Sequence, residues 1–122
     1  MAKILLAEDD LFLRDIYTEV LAAEKFEVTS AVDGEQASEK LKIGGWDLVL
    51  LDVYMPKMSG IEVLNHFNKA QLQSLAKHIV FMTNNDEGKE LNDALDKTEG
   101  YILKSSFTPD QLIAKIRQYL AD

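Results

Sequence analysis

Asp47-Leu48-Val49-Leu50-Leu51-Asp52 sets four consecutive apolar residues between two acids. A strand with one wet face alternates apolar and polar residues, whereas a short unbroken run that stops abruptly at charge reads as a strand covered on both faces. Ile4–Ala7, which stops at Glu8, repeats the pattern; Ile79–Met82 and Tyr101–Leu103 read as a fourth and a short fifth strand, and Glu27–Ala31, holding Val28 and Thr29, as a further short strand. Between these runs the apolar residues recur at helical spacing. Strands and helices that alternate along a chain predict an α/β fold with a parallel sheet covered on both sides.

The helical segments have readable ends. Asp10 is a fair N-cap for a helix whose inward face is Leu13, Ile16, Tyr17, Val20 and Leu21. Asp33-Gly34 opens a second, with Ala37, Leu41 and Ile43 facing inward, closed by Gly44-Gly45. Val53–Gly60 contains Pro56 and Gly60 and is predicted as a loop. A third helix starts near Ile61 and runs through Val63, Leu64 and Phe67; Lys69–Lys77 continues the helical pattern without a clean stop. After a polar loop over 84–88, Leu91, Ala94 and Leu95 give a fourth helix a thin apolar stripe. Thr108 caps the last helix, with Pro109 at its first position and Leu112, Ile113, Ile116 and Leu120 on its buried face. The prediction is five strands and five helices in one domain over residues 1–122.

A chain of 122 residues can bury a single core. Its 13 basic and 21 acidic residues give a net charge of −8, which argues against direct nucleic-acid binding and suits a site that gathers a divalent cation. With no cysteine, disulfides, thiolate chemistry and Cys-based zinc sites are excluded. The N-terminus meets acid after a short apolar run, unlike a secretory signal, and no apolar stretch approaches the roughly 18 residues that span a bilayer. A soluble, cytoplasmic domain with no membrane partner is expected.

Chemistry-bearing residues stand at the C-terminal ends of the predicted strands. Glu8-Asp9-Asp10 follows the first, Asp52 ends the third, Thr83 follows the fourth and Lys104 the fifth. Open parallel sheets place their ligands in the crevice outside those ends. If the strand order is 2-1-3-4-5, strands one and three are neighbours, and Glu8, Asp9 and Asp52 converge. Carboxylates packed together repel one another, and a hard cation such as Mg²⁺, which takes oxygen ligands at about 2.0–2.1 Å, relieves this. Asp52 is then a candidate nucleophile toward phosphorus, with Lys104 as a source of positive charge and Thr83 as a hydroxyl donor. Taken singly, the acids also read as a helix start favoured by the helix dipole, Lys104 as a surface lysine and Thr83 as a turn cap.

With these residues in order, the chain resembles the receiver domains of two-component response regulators, the CheY-like family, over nearly its whole length. Ile4–Asp10 is similar to the family's acidic-pair segment, Asp47–Gly60 to its phosphoacceptor segment, and Phe81-Met82-Thr83 and Gly100–Lys104 to its two remaining signatures. The resemblance implies a doubly wound, flavodoxin-like fold, a five-stranded parallel sheet of order 2-1-3-4-5 flanked by five helices. It also implies a phosphoacceptor switch, not a conventional enzyme, that assists its own phosphotransfer and autodephosphorylation. Asp52 would take phosphate from a histidine kinase or histidine phosphotransfer protein. Mg²⁺ would be held by Glu8, Asp9, Asp52 and the backbone carbonyl of Tyr54, with Thr83 and Lys104 on the phosphoryl group. Thr83 and Tyr101 would form the switch read by a downstream protein partner, the chain being a monomer or a phosphorylation-dependent dimer. Tyr101 reads equally as a half-buried strand aromatic.

Two positions depart from that pattern. Ser105 follows Lys104 where the family carries proline, usually after a cis bond; cis costs about 2.5–4 kcal/mol before any other residue, so a trans bond is predicted. Asn84 replaces the usual small residue after Thr83, and Tyr54 and Asn85 are expected at the rim, where they would set the phosphate lifetime. Rival readings fit less well. A haloacid-dehalogenase-like phosphatase wants an acid where Tyr54 stands, and a flavodoxin-like flavin binder wants a phosphate loop where Glu8-Asp9-Asp10 stands. The alternative is a receiver-like interaction module independent of phosphate. His66 and His78 are expected at the surface, and Trp46 in packing or on a partner surface, at the sheet end away from the acids.

Overall fold

The computed structural model describes residues 1–84, 92 and 95–121. Five parallel strands, β1 (Lys3–Ala7), β2 (Glu27–Ala31), β3 (Trp46–Asp52), β4 (Ala76–Thr83) and β5 (Tyr101–Leu103), form one sheet in the order β2-β1-β3-β4-β5. The described α-helices are α1 (Leu11–Ala23), α2 (Gly34–Leu41), α3 (Gly60–Asn65), α4 (Lys69–Leu75) and α5 (Pro109–Ala121), with 3₁₀ turns at Leu95–Lys97 and Lys104–Ser106. No described helix is long and apolar enough to cross a membrane.

Alternate residues of the central strands enter two separate cores, which is why their sequences are continuously apolar. Leu5, Val49, Leu51 and Phe81 pack with Ala37, Leu41, Val63 and Leu64 of α2 and α3. Ile4, Leu6, Leu48, Leu50 and Val80 pack on the other side with Leu21 of α1 and Leu112, Ile113 and Ile116 of α5. Burying one such aliphatic side chain stabilises by about 1.5–3 kcal/mol.

Side chains set the helix starts. Asp10 accepts a hydrogen bond from Leu13 N at 3.1 Å and Asp33 from Gln36 N at 2.8 Å, each satisfying an orphan amide of a first turn. Thr108 and Gln111 bond reciprocally ahead of α5, side chain to backbone in both directions. Gly44 and Gly45, with φ of +77° and +80°, turn the chain out after α2 into β3.

Several boundaries differ from expectation. The third helix does not pass through Phe67. It stops at Asn65, and Asn68 caps a separate helix, α4, through a reciprocal bond pair with Gln71. β4 begins at Ala76, three residues ahead of the expected Ile79, because Ala76 caps α4 while already extended (φ −144°, ψ 141°). Ile43 is exposed, lying past the end of α2 where the chain turns outward. His78 is buried, since the longer β4 takes it into the sheet, and its Nδ1 lies 2.5 Å from Glu99 Oε1. His66 is exposed as expected. Trp46 is buried and donates from Nε1 to Lys40 O at 3.0 Å, with the Lys3 ammonium 4.7 Å from its ring centre, so its role is packing. The helix expected around Leu91 and Ala94 lies outside the described residues; Leu95 begins a 3₁₀ turn.

Candidate functional site

Sheet register brings the predicted residues together. Ala7 pairs with Leu51, so Glu8 and Asp52 leave neighbouring strands side by side; Thr83 pairs with Leu103, which sets Lys104 one residue beyond it. Carboxylate oxygens of Glu8, Asp9 and Asp52 lie within 4.8 Å of one another. Lys104 Nζ donates to Glu8 Oε1 at 2.5 Å and to Asp52 Oδ2 at 2.9 Å. Glu8, Asp52 and Thr83 are buried, whereas Asp9 and Asp10 are exposed. Tyr54, Asn84 and Leu13 complete a cleft open to solvent above them. Asn85, expected beside Tyr54 at the rim, lies outside the described residues.

Backbone geometry fixes the two acidic segments. Glu8 N donates to Ala31 O at 3.1 Å, and the Arg14 guanidinium reaches back from α1 to Glu8 O at 2.9 Å and Asp9 O at 3.4 Å. Below Asp52, Val53 N donates to Met82 O at 3.2 Å and Gly60 N to Val53 O at 2.9 Å. A Cβ on Gly60 would stand 2.3 Å from Asp52 O, so only glycine lets α3 start this close to the site. Lys57 takes a positive φ of 68° in the same loop, and its ammonium lies 3.5 Å from Asp33 Oδ2 at the start of α2. Arg14 and Lys57 were not legible in the sequence. Both act on groups distant along the chain or through a backbone angle, and residue type reports neither.

Burial pushes the Asp52 carboxyl up to about 8, Glu8 adds to the rise, and the Lys104 ammonium opposes it. For Lys104, burial disfavours the charge, but hydrogen bonds to Glu8 and Asp52 outweigh it and raise the ammonium above its ordinary value. Three carboxylates thus meet a single ammonium, which leaves excess negative charge in a confined space. An all-oxygen donor set of this kind fits a hard divalent cation such as Mg²⁺.

Tyr101, at the first position of β5, faces outward with 36 % of its surface exposed. No described residue follows a cis peptide bond, so the Lys104–Ser105 bond is trans as expected. Ser105 is exposed within the 3₁₀ turn that carries the chain toward Phe107 and α5.

The family model for the response regulator receiver domain matches residues 4–117. The chain is 39% identical over 122 residues to the transcriptional regulatory protein CpxR of Escherichia coli K12, covering 98% of this chain and 50% of that protein. With DltR of Streptococcus agalactiae it shares 31% over 115 residues, 94% of this chain and 50% of the relative. It therefore spans about half the length of these relatives. Among solved structures, the response regulator TrrA of Thermotoga maritima in complex with Mg²⁺-BeF matches with a TM-score of 0.83 and 31% identity, covering 98% of this chain and 99% of that one. Fold, motif order and these likenesses agree: the chain belongs to the response regulator receiver family.

Proposed function

We propose that Asp52 is the phosphoacceptor of a two-component phosphorelay. The observation that carries this reading is the Asp52 carboxylate at the base of the cleft, bonded to Lys104 and within carboxylate reach of Glu8 and Asp9. The donor is the phosphohistidine of a histidine kinase or histidine phosphotransfer protein. An Asp52 carboxylate oxygen attacks phosphorus in line; the Asp52 O–P bond forms as the donor N–P bond breaks, and the donor imidazole leaves and is protonated.

Glu8, Asp9, Asp52 and the backbone carbonyl of Tyr54 would hold Mg²⁺, a choice supported by the donor set and by the Mg²⁺-BeF complex of the TrrA relative. Bound there, Mg²⁺ would supply positive charge to offset that of the phosphoryl oxygens. Lys104 pairs with a phosphoryl oxygen in place of the Asp52 oxygen it now holds, and Thr83 donates its hydroxyl to another. As Thr83 shifts toward the phosphoryl group, Tyr101 turns inward, altering the surface that a downstream protein reads. The population shift is limited by the difference in contact energy between the two states. The site assists its own phosphorylation and dephosphorylation, and the chain acts as a switch.

Incubation with acetyl phosphate, followed by intact mass, tests the reading. One added phosphoryl group that requires Mg²⁺ and is lost in Asp52→Ala is expected. No addition under any condition would instead mark a receiver that binds partners independently of phosphate.

A further inference from the structure

The Lys104 side chain is only 6 % exposed, and its ammonium, at the end of a long apolar stem, contacts Glu8 and Asp52. Its neighbour Ser105 is exposed and leaves φ free, where a proline would lock it. Something other than the following residue must therefore hold the long stem in line. Beside it, between α1 and the β5–α5 connection, lies an apolar pocket of about 210 Å³ whose walls include Tyr17, Met82, Ile102, Phe107 and Leu112, with Lys104 itself. Tyr17 and Phe107 are partly buried and both pack on the core beneath.

Resting on the phosphoacceptor reading, we propose that Tyr17 is a positioning residue for Lys104: its ring lines, with Phe107, the apolar pocket that Lys104 also lines, and keeps the ammonium on Asp52. The ring's own surroundings agree. Burial raises the Tyr17 hydroxyl, and the Lys104 ammonium opposes that rise. The phenol oxygen is not required for this role; the ring is.

Two measurements test the assignment, one independent of phosphorylation. In metal-free protein, the Lys104 Nζ–H correlation in ¹⁵N NMR reports whether the ammonium is pinned in slow exchange. It is expected in wild type and Tyr17→Phe and lost in Tyr17→Ala and Tyr17→Leu. At saturating Mg²⁺ and acetyl phosphate, Tyr17→Leu is expected to slow phosphorylation by on the order of ten- to a hundredfold, as misplacement by about 1 Å does. Its Mg²⁺ dissociation constant is expected to stay at the wild-type value, and Tyr17→Phe to restore the rate. In a Lys104→Ala background the Tyr17 substitution is expected to do nothing further.

A Lys104 correlation that survives in Tyr17→Leu would overturn the proposal whatever the phosphorylation result, as would an equal loss of rate with and without Lys104. Wild type that shows the pinned ammonium but takes no phosphate would count against the phosphoacceptor reading instead. Tyr17→Leu keeps apolar bulk, so the test stands if Tyr17→Ala fails to fold.

Discussion

Replacing Asp52 by asparagine removes a buried negative charge while keeping the shape of the group and its hydrogen bonds. The amide oxygen accepts from Lys104 as Asp52 Oδ2 does now at 2.9 Å, and the amide NH₂ donates toward Glu8. Asp52 is raised from 3.8 to about 8. A carboxyl raised in the folded state contributes its full stability below its unfolded value, and that contribution is lost as pH rises through the folded value. At about 1.4 kcal/mol per unit, the interval sets a ceiling of about 6 kcal/mol. The cleft opens to solvent at Tyr54 and Asn84, and water entering it relieves part of the cost, so about 2 kcal/mol is expected above pH 8. In urea unfolding with EDTA, Asp52→Asn should match wild type near pH 4 and grow steadily more stable toward pH 8, with a Tm higher by about 8 °C at the upper end. Mg²⁺ should close the gap by stabilising wild type alone. A variant no more stable than wild type across this range would refute the claim that clustered acids strain the metal-free site.

Further outcomes follow from single contacts. Gly60→Ala should destabilise by about 1–3 kcal/mol, because its Cβ meets Asp52 O at 2.3 Å, and should weaken Mg²⁺ binding in calorimetry; an unchanged affinity would separate the loop from the site. Asn68→Ala should cost about 1 kcal/mol in urea unfolding through loss of the α4 cap. A double-mutant cycle on His78 and Glu99 should give a coupling of about 0.5–3 kcal/mol, and a coupling near zero would mean that their 2.5 Å approach carries no energy. Asp47 is held below its ordinary value by the Lys3 backbone N–H, with Lys77 assisting. Its stabilisation is present above about pH 4 and lost as pH falls through the lowered value, so Asp47→Asn should flatten the acid limb of the stability curve below about pH 4.

The central strands were legible because doubly covered strands need unbroken apolar runs, as in Leu48–Leu51, whereas their order came from the family resemblance and not from the runs themselves. Boundaries set by a single polar contact were harder. Asn68 and Gln71 form a capping pair that splits one helical pattern into two, yet in sequence they resemble any polar helix surface. His78 looked exposed because Ala76-Lys77-His78 has little strand propensity; pairing with β3 and the Glu99 carboxylate draw it inward. At the site, Glu8, Asp9, Asp52 and Lys104 were readable by position and the structure brings them together. Arg14, reaching the carbonyls of Glu8 and Asp9, and Lys57, with its positive φ, depend on folded geometry that residue type does not encode.

The position of the phosphoryl group decides whether Asp52 is the phosphoacceptor. After acetyl phosphate and Mg²⁺, borohydride reduces an aspartyl phosphate to homoserine, which peptide sequencing by mass spectrometry can place. Conversion is expected at position 52 alone, abolished by EDTA and by the double substitution Glu8→Gln with Asp9→Asn. Conversion at another carboxylate, or conversion at 52 that is indifferent to Mg²⁺ and to both acids, would contradict it.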